Sequence, residues 1–502
     1  MGGDATAGGG TGGGRASLLA ELAGGVRDGR LSAVQLVEES LRRIEAAKDL
    51  NAVVAYSAAA LEDAERLDHA VRGRADDPGP LAGLPLLVKD IEDAAGLPTT
   101  FGSLIHSEGL PAPADGVVAS RLRGAGAILV GKTNVPEFAF EGYTANRLFG
   151  ATRNPWAPAL SPGGSSGGSG TALSAGLVPL ATATDVGGSI RIPAALCGLV
   201  GLKPTAGLIG RDVGLASLDL NNHGPLTATV ADARLLMEIL RGPAPGDFGS
   251  LPRWSPDRRA SPARLIVAAR FVAGPPLPGP LAAAFGAAVE RLANAIGARV
   301  EVLESSQVFP GGFEAQDWFR IVGVEQAHAL GREAIEDKAD LFDPVFIGYM
   351  RAAMAVTAED YARARLRRAR YAREFDVLLG DDAVLATPTL TVDGWSAEGR
   401  LSGSDTPGLP GWVFNTEPPN LTGHPAISLP AGRLPNGLPF GLQIVGPRFG
   451  DWLLLDLAEV WEAVAPWPLA AAGYMPFSVS ALEATPPKEP KPTSGREADP
   501  AG

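Results

Sequence analysis

Hydrophobic positions in this chain change their spacing along its length, from helical to strand-like and back. Ser32-Ala33-Val34-Gln35 sets a capping serine three residues ahead of a glutamine, and Leu36, Val37, Leu41 and Ile44 then share one helical face. Thr229 to Asp232 opens a second helix, which runs through Leu240. Between such segments, short apolar runs bounded by Gly, Pro or Asp predict strands at 84–88, 127–130, 178–183, 265–269, 383–386, 426–429 and 441–445. The run from Thr171 to Asp185, rich in Ala, Leu and Val, predicts a helix followed by a buried strand, which is packed core and no linker. Helices alternating with short buried strands make an α/β chain. A stretch rich in Pro, Gly and Arg, from Pro243 to Pro262, predicts a surface connection, and no internal repeat is visible. The glycine-rich residues 1–15 and the Pro-rich residues 486–502 predict disordered tails around one domain at 16–485.

Composition narrows the partners. A length of 502 residues allows two or three average domains or one large enzyme. The net charge of −13 argues against nucleic acid as a partner. No apolar run approaches the ~20 residues that cross a bilayer, and no secretory signal is legible, so no membrane is expected and the default location is cytoplasmic. A single cysteine, Cys197, excludes an intramolecular disulfide and a cysteine-rich zinc site, and its setting AALCGLVG predicts a small buried hydrophobe. With no HExxH and no CxxC, neither metal nor cofactor is expected.

Candidate chemistry sits in two glycine-serine clusters, where Ser165 and Ser189 each follow a Gly-Gly pair. Breaking an amide requires an activated nucleophile, donors for the oxyanion and a proton for the leaving nitrogen. Successive N–H groups in the turn Val186-Gly187-Gly188-Ser189 can converge on one oxygen. Lys89 ends the run LPLLV, so its amine is delivered at the end of a buried strand, where desolvation favours the neutral base. Asp185 and Arg191 flank the second cluster as a buried pair that orients it. Ser166 reads equally as a support for Ser165 and as a plain turn serine. Two literal motif matches are set aside. Gly126 to Thr133 satisfies GxxxxGK[ST], but its apolar middle is a strand where a phosphate cradle needs an exposed loop. Gly164 to Gly168 satisfies GxSxG, yet APALSP before it is no strand. Nor is a histidine partner evident: His69 lies on a charged helix, His106 in a loop, His328 on a helix, and His223 and His424 in blocks that look architectural.

Taken together, GGSSGG, DVGGSIRIP and GLKPT resemble the signature of the amidase signature family of serine hydrolases. LAGLPLLVKD, GAILVGKTNVPEF and RNPW upstream agree, as do HGPLTATVADA, NLTGHPAISLP and GLPFGLQIVGP downstream. The likeness covers roughly residues 16–240 and 380–465, with a divergent middle at 241–380. It implies one α/β domain, a mixed and largely parallel sheet covered by helices on both faces. It also implies that Ser189 is the nucleophile, that the amides of Val186 to Ser189 form the oxyanion hole, and that Lys89 is the base. Ser165, behind a cis peptide bond, would relay the proton and return it to the leaving nitrogen, with Ser166, Asp185 and Arg191 behind the reacting groups. The family also includes the glutaminase subunit of the tRNA-dependent amidotransferase, but that subfamily typically has glutamine where Ile192 stands.

For the substrate, the family's loop equivalent to Phe138, Ala139 and Phe140 lies beside the nucleophile. Trp412 and Phe414, in a Gly/Pro-rich loop, are candidate rim residues. Trp318 is the pocket candidate from a helical aromatic stripe, with Phe313, Phe342, Phe346 and Met350, that reads more readily as core. None of the candidates is charged, so a neutral, apolar or aryl small-molecule amide is the expected partner, with carbamates and esters left open. A homodimer is compatible with the chain.

Overall fold

Ser32 caps the helix Ala33–Ala46 as its sequence predicts: Gln35 N donates to Ser32 Oγ and Ser32 N donates to Gln35 Oε1, each at 3.0 Å. Leu36, Val37 and Ile44 are buried. Thr229 Oγ1 likewise accepts from Asp232 N at the start of Val230–Leu240. The computed structural model describes residues 14–73, 77–212, 219–253, 261–405 and 408–483. The expected tails fall outside these except at Gly14 and Arg15. There the tail boundary is corrected, because Arg15 N donates to Glu462 Oε2 and its guanidinium stands over the Trp467 ring.

The fold is mixed α/β. A seven-stranded sheet runs in the order Leu226–Thr227, Val200–Lys203, Ala426–Arg433, Pro439–Val445, Ala383–Pro388, Arg264–Val267, Arg299–Val302. Its last three strands are parallel, and the ladders before them are antiparallel. A four-stranded sheet has the order Val53–Tyr56, Ile128–Thr133, Pro85–Lys89, Leu180–Ala181, with both neighbours of Pro85–Lys89 parallel to it. The period of two sorts each strand between two cores. Leu265, Val267, Ile427, Leu429, Leu442 and Ile444 pack with the helices Val230–Leu240, Gly279–Ile296 and Asp451–Val464. Ile266, Leu385, Ala426 and Val445 pack on the other face with Asp317–Leu330 and Ala358–Leu379. Sheets covered on both faces read as continuous apolar runs, which is why these strands were legible.

Two expectations shift. The strand expected at 178–183 is two short pieces, Leu180–Ala181 and Thr184–Asp185, the second paired with Asn222–His223. The strand expected at 127–130 continues through Gly131 and Lys132 to Thr133, because Lys132 is fully buried and its amine donates to the carbonyl of Glu92. No helix among the described residues is long and apolar enough to cross a membrane.

Candidate active site

The strand Pro85–Lys89 delivers Lys89 into the interior. The Lys89 N–H donates to Thr182 Oγ1, and its amine donates to Ser165 Oγ at 2.7 Å and to Thr184 Oγ1 at 2.8 Å. The side chain is fully buried, and no carboxylate among the described residues pairs with it. Burial therefore pushes its pKa down to about 7, against an opposing pull from Glu92 and Asp185. Ser165 follows a cis Gly164–Ser165 peptide. A Cβ on Gly164 would meet the Tyr143 carbonyl oxygen at 2.5 Å, so only glycine lets the two backbones approach. Ser166 stands at the N-cap position of the helix Gly167–Ser174 without a side-chain capping bond; its N–H donates to the Ser189 carbonyl at 3.3 Å, and its hydroxyl faces the Thr184 backbone.

The Val186–Ser189 turn is held from below and from both sides. Asp185, fully buried, accepts from Arg191 Nε and Nη2 at 2.9 Å, from Gly188 N at 2.7 Å, from Ile190 N at 3.3 Å and from Asn420 Nδ2 at 2.8 Å. Burial alone would raise this carboxyl, but the Arg191 charge holds it below the usual range. Arg191 also donates to Gln443 Oε1 at 2.8 Å and to Asn420 Oδ1 at 2.5 Å. Above the pair, Trp318 Nε1 donates to the Val186 carbonyl at 2.9 Å and Thr416 Oγ1 to the Gly187 carbonyl at 2.5 Å. Gly188 has φ +134, and a Cβ there would sit 2.2 Å from Thr416 Oγ1. The Gly188 N–H, one of four amides expected to receive an oxyanion, donates to Asp185 instead. Removing one partner of a buried ion pair strands the other charge, so Arg191→Ala is expected to lower stability by about 3–5 kcal/mol. A urea denaturation midpoint unchanged from the parent would contradict that.

Two cavities flank the serines. The smaller, about 210 Å³, is lined by Ser165, Thr184, Asn221, Phe101, His106 and Phe138. The larger, about 480 Å³, is lined by Ser189, itself half-buried, with Trp412, Phe414, Tyr349, Glu141 and Glu417. Ala139, Phe140, Val186 and Trp318 line both. Every expected substrate residue is thus at the cavities. Phe138 and Ala139 both adopt positive φ, 49° and 56°, a strained turn that brings Phe138 between the rings of Phe101 and Phe346. From the aromatic stripe only Trp318 reaches the cavity lining; Phe342, Phe346 and Met350 are core, and Phe313 packs at a tilt against Phe309 and Tyr371.

Sequence reasoning missed His106, Thr184, Asn221, Tyr349, Glu141 and Glu417. His106 lies on a single turn, Leu104–His106, and burial lowers its pKa. Glu141 and Glu417 matter most, since the cavity expected to be uncharged contains two carboxyls, both pushed up to about 8 by burial. No local pattern separates an inward-facing acid from a solvated one. Cys197 is buried, and burial raises its thiol pKa.

The chain is similar to known proteins along most of its length. The Amidase family model matches residues 35–455. The chain is 35% identical to an acylamidase of Rhodococcus erythropolis over 89% of its own length and 95% of that protein's. It is also 35% identical to a glutamyl-tRNA(Gln) amidotransferase subunit of Salinispora tropica, over 89% and 96%. Among solved structures it is similar to a bacterial aryl acylamidase of the amidase signature family, with TM-score 0.80 and 26% identity over 90% of this chain and 96% of that one. It is similar as well to a 6-aminohexanoate cyclic dimer hydrolase complexed with substrate, with TM-score 0.79 and 30% identity over 90% and 97%. With the family model spanning most of its length and relatives above 30% identity along nearly all of it, the chain belongs to the amidase family and is a hydrolase of amide C–N bonds.

Proposed function

We propose that this chain hydrolyses an apolar or aryl amide, uncharged at the reacting group, through an acyl-enzyme on Ser189. The observation that carries the reading is Lys89, a fully buried amine with a pKa near 7 and a 2.7 Å hydrogen bond to Ser165. Neutral Lys89 accepts the Ser165 proton as Ser165 accepts that of Ser189, and Ser189 Oγ attacks the carbonyl carbon. The amides of Val186, Gly187 and Ser189 receive the oxyanion. Ser165, reprotonated by Lys89, gives its proton to the leaving nitrogen as the C–N bond breaks. Water then attacks the ester by the same relay in reverse, releasing the acid.

The rings of Phe140, Trp318, Trp412 and Phe414 set the preference. An aryl group would bury about 150–250 Å² there at ~25 cal/mol/Å², which after discounting leaves about 3 kcal/mol, or roughly a hundredfold, over acetamide. Glutamine, which offers no ring to these walls, should fare no better. The test is kcat/KM over glutamine, acetamide, benzamide, a p-nitroanilide and an aryl ester. Aryl amides are expected to lead the amides by at least about a hundredfold. Preference for glutamine would instead favour the glutaminase role in an amidotransferase, a reading kept open by the Salinispora relative and opposed by Ile192.

A further inference from the structure

The larger cavity contains two carboxyl groups and no base: Glu141 and Glu417 are among its lining residues, and no Lys, Arg or His is. Neither forms an ion pair among the described residues. The Glu141 carboxyl is hydrogen-bonded to the Tyr349 hydroxyl, yet its Oε1 is closed off from solvent with no hydrogen-bond partner, and Asp343 adds a further negative charge near it.

Both acids are anchored to the reacting loops. Glu141 directly follows Phe140, and its carbonyl oxygen lies 2.9 Å from the point a Cβ on Gly164 would occupy, one residue before Ser165. Glu417 directly follows Thr416, whose hydroxyl holds the Gly187 carbonyl. Burial works against each carboxylate, driving both up to about 8. Glutamine at either place would fill nearly the same space with no charge to desolvate, so carboxyls have a physical purpose here if a cation meets them. Trp318, Trp412, Phe414 and Tyr349 line the same space, and aromatic faces attract cations.

We infer that the substrate is an amino-substituted amide, whose protonatable nitrogen, remote from the scissile bond, is received by Glu141 and Glu417 among these rings. The inference rests on the Ser189 cavity being the substrate site. An amine entering as the free base takes the proton of a carboxyl; where the amine enters already as ammonium, the carboxyl gives its proton to water instead. Either route ends in the same ammonium–carboxylate pair.

Calorimetry on full-length Ser189→Ala tests this without turnover. Two ligand pairs are compared, 4-(aminomethyl)acetanilide with 4-ethylacetanilide, and N-phenyl-5-aminopentanamide with N-phenylhexanamide. Within a pair only an ammonium and a methyl differ, on the aryl or the acyl side. In at least one pair the amine is expected to bind at least about tenfold more tightly. Glu141→Gln or Glu417→Gln, added to Ser189→Ala, should bring that ratio close to one. The wild-type kcat/KM ratio over the same pairs repeats the comparison in the unmodified site. Equal or tighter binding of the neutral member in both pairs overturns the inference, as does an amine preference that survives both glutamine variants. The proposed chemistry fails separately, if the wild type hydrolyses none of the four anilides.

Discussion

Ser189→Ala is expected to lower the hydrolysis of an aryl amide by about 10⁴-fold or more, to background, with the fold intact. The side chain is half-buried at the edge of the larger cavity, and its hydroxyl appears in none of the contacts that hold the loop. Those run instead through Asp185, Arg191, Thr416 and Trp318. Removing Oγ therefore deletes the attacking atom and leaves its frame standing. A serine-directed phosphonate should add its mass to Ser189 in the wild type and to no serine in the variant. An adduct on Ser166 would restore the GxSxG alternative, although Ser166 is fully buried and its hydroxyl faces the Thr184 backbone.

Lys89 makes the second large effect. A base must be unprotonated to act, so with its pKa near 7 the rate should climb with pH, about tenfold per unit well below 7, and level off above about 8. Lys89→Ala should remove that limb and lower kcat by about 10²–10⁴-fold. The comparison separates Lys89 from Lys203, also driven to about 7 by burial, whose amine donates to the Pro204 carbonyl and which stays in place in the variant. A pH profile measured with a neutral anilide that keeps its limb in Lys89→Ala, or activity near normal in that variant, would remove the relay.

What could be read from the chain alone follows the range of the interactions involved. Helix starts at Ser32 and Thr229 were legible because a cap is settled within three residues. Strands such as Ala383–Pro388 were legible because both of their faces are covered. Arg299–Val302 escaped notice as an edge strand whose mostly exposed residues have no apolar run. The same contrast governs the site. Lys89, Ser165 and Ser189 lie in glycine-rich or strand-end settings whose chemistry is local. Trp318 could not be told from Phe346 by spacing, since both sit in the same aromatic stripe and only tertiary packing sends one to the cavity and the other to the core. Glu141 and Glu417 were invisible for the same reason: their neighbours in space come from other parts of the chain.

The Asp185–Arg191 frame has a consequence in time. Both serines and Lys89 have been synthesised by residue 189, but Thr416, Asn420 and Gln443, which brace the loop, are more than two hundred residues further on. During vectorial synthesis the emerging chain thus contains the three proposed reacting groups long before it can hold them still. Activity is therefore expected to appear only as the last strands of the large sheet close. Truncations ending before Gln443 are accordingly expected to be silent, however well their first half folds.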